Sequence, residues 1–248
     1  MIAPSLPRGL AFALAIVAAW LVSLLFLMQL PLTGPGRVPA PLLLLAVGGR
    51  AFLQTGLFIV GHDAMHGSLL PQAPLWNDRL GRLALALYAG LPWQRCRRNH
   101  RLHHQNPASA SDPDHHGGVR FGVVGWYASF LATYLRPLPL AILLAAWLLT
   151  LAIASPHTAH PLANLLLFWT LPLLISSLQL FVFGTYLPHR TSPQRSNDSH
   201  RAASLPWSTA LSLLACFHFG YHWEHHHTPS LPWYRLPRQR RLVTVPRT

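Results

Sequence analysis

Residues 42–66 read LLLLAVGGRAFLQTGLFIVGHDAMH. The run Leu42–Val60 is apolar, apart from its Gly48-Gly49-Arg50 interruption. Its length is that of a helix crossing a bilayer, about 20 residues. It ends on His62 and His66, four residues apart. On a helix, positions i and i+4 share one face, so both imidazoles point the same way. Neutral imidazole suits iron, zinc and copper. The stretch therefore predicts a membrane helix with a metal site at its end.

Three further runs have spanning length: Leu10–Leu32, Pro137–Ala154 and Leu162–Leu187. The first is too long for a cleavable signal and is followed by Gly34-Pro35-Gly36. Leu80–Pro92, Leu205–Phe219 and the aromatic Phe121–Leu135 are too short to span simply and read as interfacial helices. Of 248 residues, 51% are apolar and 10% charged, with a mean hydropathy of +0.30. A soluble domain carries about 25% charge, so soluble and disordered chains are both excluded. The two cysteines, Cys96 and Cys216, are expected as free thiols. The expected fold is all-α: a single domain over residues 1–248, an integral membrane four-transmembrane-helix bundle with interfacial helices and a cytoplasmic cap carrying the histidines.

All 19 basic residues are Arg, against 6 acids. A net charge of +13 raises the question of nucleic acid, but the hydropathy opposes a solvated basic face. Four spans place both termini on one side. Arg8, the Arg of 61–136 and the Arg of 188–248 then make 17 of the 19 on that side. The positive-inside rule assigns it to the cytoplasm. The excess is thus read as topology and lipid-headgroup contact, with no nucleic-acid partner.

The same side collects the histidines. His62 and His66 form HxxxH; His100, His103 and His104 form HxxHH; His222, His225 and His226 form HxxHH again. Helical spacing lets each box aim two or three imidazoles at one point. Eight ligands exceed the four of a structural zinc and fit two metals. HExxH is absent, which lowers a membrane zinc protease. A non-catalytic His-rich metal carrier would place ligands within or across the membrane; boxes gathered on one face disfavour it.

Three such boxes on four spans resemble the membrane fatty-acid desaturase and hydroxylase superfamily. GLFIVGHDAMHGSL at 56–69, DPDHH at 112–116, FGTYLPHR at 183–190, FHFGYHWEHH at 217–226 and PWYRLP at 232–237 resemble the bacterial β-carotene ketolases in particular. Box two departs from the HHAHHRH type of that family, reading NHRLHHQN at 99–106. The resemblance implies a non-haem di-iron oxygenase in the bacterial inner membrane, with two Fe, O2 and a lipid-soluble carotenoid substrate. It implies two hydroxylations at C4 of a β-ionone ring and loss of water to a ketone, giving canthaxanthin or astaxanthin. The chain shows no flavin or Fe–S motif, so electrons are expected from a separate ferredoxin/NAD(P)H donor. A carotenoid C3 hydroxylase and a fatty-acyl desaturase are the rival activities within the superfamily.

The superfamily recruits ligands beyond the boxes, and His189 in TYLPHR is the first candidate. His218, four residues before His222 on a continuous helix, and His116 are further candidates. Four of the six acids lie beside the boxes: Asp63, Asp112, Asp114 and Glu224. A metal-bound imidazole commonly donates its other N–H to a carboxylate, so these four are expected to brace the ligands. Arg50 is the charge deepest in a span and is expected to pair with Gln54, one turn away. Trp76, Trp93, Trp126, Tyr127, Trp207, Trp233 and Tyr234 read as an interfacial belt.

Overall fold

The computed structural model describes residues 7–116, 122–190, 198 and 200–243. Arg120, Arg195 and Arg247 of the charge tally, and Phe121 at the start of an expected interfacial segment, lie outside the described residues. The described chain is all-α, with no strand among its described residues. Four helices are long and apolar enough to cross a membrane: α1 (Arg8–Leu27), α2 (Ala40–Met65), α6 (Pro137–Ala154) and α7 (Pro161–His189). They match the four expected runs. The shorter helices are α3 (Pro74–Ala89), α4 (Trp93–Gln105), α5 (Gly122–Tyr134), α8 (Thr209–Cys216), α9 (His222–His227) and α10 (Leu236–Leu242).

α2 is the central strut. It buries Leu57, Ile59, Val60 and Ala64 in one continuous core with Trp20 of α1, Leu85 of α3, Leu180 of α7 and Phe217. α3 packs along it by a stripe at helical spacing, Asn77, Gly81, Ala84, Leu85 and Tyr88. At Gly81 a Cβ would overlap the Trp93 ring and Ala64, so only glycine allows this approach. α6 buries only Pro139 of its 18 residues. Val22, Leu25, Leu44, Leu45, Leu138, Leu149 and Ile153 remain exposed. Such an apolar exterior suits hydrocarbon and would aggregate in water.

α2 continues beyond Val60 to Met65, so His62 lies in its last turn and His66 caps it. A side chain closes this end. Asn77 donates from Nδ2 to the Ala64 carbonyl at 2.8 Å and accepts the Leu70 N–H at 3.2 Å. It adds a second donor to a carbonyl of the helix end that also accepts the Gly67 N–H at 3.0 Å.

Arg50 is 1% exposed, yet Gln54 is not its partner. Gln54 is taken by Trp20 Nε1 at 2.6 Å and the Tyr88 carbonyl at 2.6 Å. The guanidinium instead reaches across α1 and α7. Nε donates to the Phe168 carbonyl at 2.8 Å, and Nη1 donates to the Trp20 carbonyl at 2.6 Å and to Ser23 Oγ at 3.0 Å. Phe168 lies in a wide π-helical turn, Leu166–Thr170, where the regular ladder is interrupted. A central Arg costs about 2.5–3.5 kcal/mol by insertion scales, and charged hydrogen bonds return about 1.5–3 kcal/mol each, so three are enough to hold it. Arg50→Met removes the donor from two buried carbonyls. It is expected to lower stability by about 2–4 kcal/mol, read as an earlier thermal transition of the detergent-solubilised protein.

Candidate metal centre

The three boxes meet at one end of the bundle, with His189 among them. His62 and His66 of α2, His100 of α4 and His225 of α9 bring donor nitrogens within 4.8 Å of one another. His103 of α4, His189 at the end of α7, and His222 and His226 of α9 do the same. His104 joins the two sets. Its Nε2 lies 2.9 Å from that of His225, and its ring stacks on His226 at 4.2 Å.

Each HxxHH box therefore serves two centres and not one point, which corrects the expectation from spacing. Positions i+3 and i+4 flank position i, but they lie about 100° from each other around the helix. In α4, His103 goes to the second tetrad while His100 joins the first. In α9, His222 and His226 go to the second and His225 to the first. α4 and α9 thus carry ligands for both tetrads. The end of α2 completes the first, and the end of α7 the second.

The donors fit a cation. Nε2 of His62 and Nε2 of His189, one in each tetrad, are buried without a partner. His66 and His100 approach Nε2 to Nε2 at 2.7 Å, and His103 and His226 at 3.1 Å. Burial pushes the His100, His104, His222, His225 and His226 rings well down, and their mutual repulsion adds to it. His66 is pushed down to about 4, chiefly by burial. These rings are neutral near pH 7 and keep lone pairs for a metal. Burial holds the free thiols Cys96 and Cys216 protonated, Cys96 up at about 12. The donor set is therefore imidazole.

Two ligands have their orientation set from behind. Asp112 Oδ2 accepts from His103 Nδ1 at 2.9 Å, and the Arg201 carbonyl accepts from His189 Nδ1 at 3.0 Å. Both partners are acceptors, so each ring keeps its Nε2 lone pair. Burial opposes charge on both members of the His103–Asp112 pair. Their hydrogen bond and attraction still hold His103 above its ordinary value and Asp112 below its own. N–H groups of Ala108 and Asp114, each at 2.9 Å, complete the Asp112 carboxylate.

The other three carboxylates are placed differently from expectation. Asp63 Oδ1 is 3.6 Å from His62 Nδ1, beyond hydrogen-bond range, and Oδ2 accepts the Trp233 N–H at 3.1 Å. It fastens the C-terminal segment to the end of α2. Glu224 accepts from Arg240 Nη1 at 2.9 Å and from the Ser204 hydroxyl, not from an imidazole. Its position in α9 turns it away from the ligand rings and toward α10. Asp114 accepts from the Tyr134 hydroxyl at 2.6 Å.

His116 and His218 belong to neither tetrad. Phe217 and His218 take left-handed φ values of 48° and 63°, which ends α8 and breaks the continuous helix on which the His218 expectation rested. His218 stacks on Tyr221 at 5.6 Å instead. Trp126 is buried, not interfacial, and its Nε1 donates to the Asp114 carbonyl at 2.8 Å. Trp93 is buried as well. Asn77, Trp126, Tyr134 and Arg240 support the site without any local spacing signal, because each acts across a tertiary contact.

A cavity of about 270 Å³ ends on His62 and His100 of the first tetrad and His103 and His222 of the second. Phe58, Phe130, Leu135, Leu143 and Leu173 make its walls apolar. It reaches Leu174 on α7, which is 58% exposed on the outer face. At Gly184 a Cβ would overlap the Phe219 ring, which also lines this cavity beside the ligands. His189→Ala takes one donor from the second tetrad alone. It is expected to reduce bound metal to about half, and Asp112→Asn to weaken binding there about 10–100-fold, both measured by elemental analysis of the purified protein.

A sequence model of the family described as "Fatty acid desaturase" matches residues 35–154 and 117–244. A "Beta-carotene ketolase" from Paracoccus sp. (strain PC1) is 41% identical over 239 residues, covering 94% of this chain and 92% of the relative. A second Paracoccus strain carries a "Beta-carotene ketolase" that is 43% identical over 196 residues, covering 77% of this chain and 76% of the relative. A "Zeaxanthin 4-ketolase" from Chlamydomonas reinhardtii is 34% identical over 250 residues, covering 95% of this chain and 54% of the relative. With the family matched over most of its length and histidine boxes gathered at one end of four apolar helices, the chain belongs to the fatty acid desaturase family.

Proposed function

We propose that this chain is a β-carotene ketolase, a membrane oxidoreductase that places a keto group at C4 of β-ionone rings with two non-haem irons, O2 and electrons from a separate ferredoxin/NAD(P)H donor. The observation that carries the reading is the cavity, whose apolar wall includes Leu174, exposed on α7, together with two histidines from each tetrad. Such a shape suits a rod-like hydrocarbon that arrives from the bilayer and presents one end. The relatives support the carotenoid and the ketone, since they bear that activity in their names at 41–43% identity.

Iron held by the eight box histidines and His189 would supply the activation of dioxygen that an unactivated C–H bond requires. The remaining work falls to the chain itself. Phe58, Phe130, Leu135 and Leu173 exclude water and fix the ring by shape. Asp112 and the Arg201 carbonyl keep His103 and His189 in ligand orientation. Neutral imidazoles would add no charge of their own to the metals, and Asp63 and Asp112 lie directly behind His62 and His103. The chemistry consists of two hydroxylations of one carbon. Each consumes one O2, two electrons and two protons and releases one water, and the geminal diol then loses water to a ketone.

The Arg distribution supports termini and site on the cytoplasmic side of a bacterial inner membrane, where a soluble electron donor has access. The matched segments run from 35 to 244, which supports one domain over the whole chain.

Bacteria that accumulate β-carotene and express this chain are expected to form canthaxanthin, identified by chromatography of the pigments; zeaxanthin alone would replace ketolation by C3 hydroxylation. Purified protein is expected to hold about two irons per chain. His62→Ala, His103→Ala and His225→Ala are each expected to abolish turnover, and wild-type turnover in any of them would overturn the site.

A further inference from the structure

Asp114 is the one carboxylate in the wall of the cavity among the described residues. It is 7% exposed, and with Asp112 it sets a carboxylate oxygen within 4.8 Å of a His103 ring nitrogen. Three contacts hold it in place. Oδ1 accepts from the Tyr134 hydroxyl at 2.6 Å, its N–H donates to Asp112 Oδ1 at 2.9 Å, and its carbonyl accepts from Trp126 Nε1 at 2.8 Å. Tyr134 supplies the single side-chain hydrogen bond to this carboxylate among the described residues, and Tyr134 lines the cavity too. A buried carboxylate with one partner, facing an apolar channel, retains acceptor capacity that a pure hydrocarbon cannot use. A hydrocarbon ring that has been hydroxylated once does carry a donor, and it carries it at the reacting carbon.

We propose that Asp114, braced by Tyr134, binds the hydroxyl of the once-oxidised ring and so turns the remaining C–H of that carbon toward the histidine centre. The second oxidation then falls on the same carbon, and the product is a ketone and not an alcohol. This rests on the ketolase reading above. In the second step one C–H bond and the O–O bond of dioxygen break and one C–O bond forms. The C–H bond and the donor each supply two electrons, and the second oxygen atom leaves as water. The diol then loses water as the C=O bond forms. Asp114 accepts a hydrogen bond throughout and is not consumed.

The test uses the full chain in β-carotene-accumulating bacteria, with the ratio of 4-hydroxylated to 4-keto rings measured by chromatography and iron per chain measured on purified protein. Wild type is expected to give almost all ketone. Asp114→Asn is expected to raise the hydroxy-to-keto ratio up to about tenfold, the worth of one buried hydrogen bond, with iron content unchanged. Tyr134→Phe keeps the carboxylate but frees its orientation, and is expected to raise the ratio by a smaller factor. If Asp114→Asn fails to accumulate in the membrane, Tyr134→Phe carries the test alone. An unchanged ratio with less total product would make Asp114 a structural residue, and loss of iron in Asp114→Asn would make it a ligand; either result overturns the proposal. Wild type that oxidises no C4 position would bring down the ketolase reading itself, and this inference with it.

Discussion

Nine imidazoles gathered at one end of the bundle, six buried and three half-buried, are the constraint that the rest of the structure answers. A buried polar atom without a partner costs about 1–3 kcal/mol. Nε2 of His62 and Nε2 of His189 are both such atoms, one in each tetrad. Protonation would not relieve the cluster, since burial and the neighbouring rings both work against it. A cation in each tetrad would give both of these atoms a partner, and metal binding would then add to the stability of the fold. His103 is the exception that Asp112 explains, because a carboxylate behind the ring raises its basicity and fixes its tautomer.

Two helices too short to span carry most of this site. α4 and α9 each send histidines to both tetrads, and neither could hold its place alone: α9 has only six residues. Their positions come from the ends of α2 and α7, which are anchored in the core. Glu224 turns out of α9 to Arg240, Asp63 turns out of α2 to the Trp233 backbone, and Asn77 closes the α2 end. The left-handed pair Phe217–His218 lets the chain leave α8 and enter α9 at the required angle. Phe217 also stacks on Phe52 at 4.2 Å in the space that Gly56 leaves open. Strain of this kind persists where surrounding contacts over-determine it.

The apolar channel turns this metal-binding end into a site with a direction. The cavity is lined both by Leu174, exposed on α7, and by histidines of both tetrads, which suits approach of an apolar substrate from the bilayer under the proposed function. Asp114, the one carboxylate lining it among the described residues, is held by the aromatic helix α5 through Trp126 and Tyr134. Read from sequence as an interfacial element, α5 also braces the segment that follows box two. Its indole and hydroxyl groups both act on Asp114, 12 and 20 positions away, and no periodicity within α5 reports such contacts.

By itself the sequence determined the four spans, because hydrocarbon demands about 20 apolar residues in a row and little else satisfies it. It also determined the three boxes and their common side, because helical spacing and Arg asymmetry are local signals. Only the tertiary structure decided how the histidines are shared. Residues 103 and 104, or 225 and 226, diverge around their helices, and which centre each meets depends on elements over a hundred positions away. The same holds for the charges. Arg50 found carbonyls on α1 and α7 where its own helix offered Gln54, and Glu224 found Arg240 where the box offered imidazoles. Composition and spacing specify which groups must be buried. Their partners are set by packing, because a hydrogen bond forms with whichever group the folded chain brings within about 3 Å.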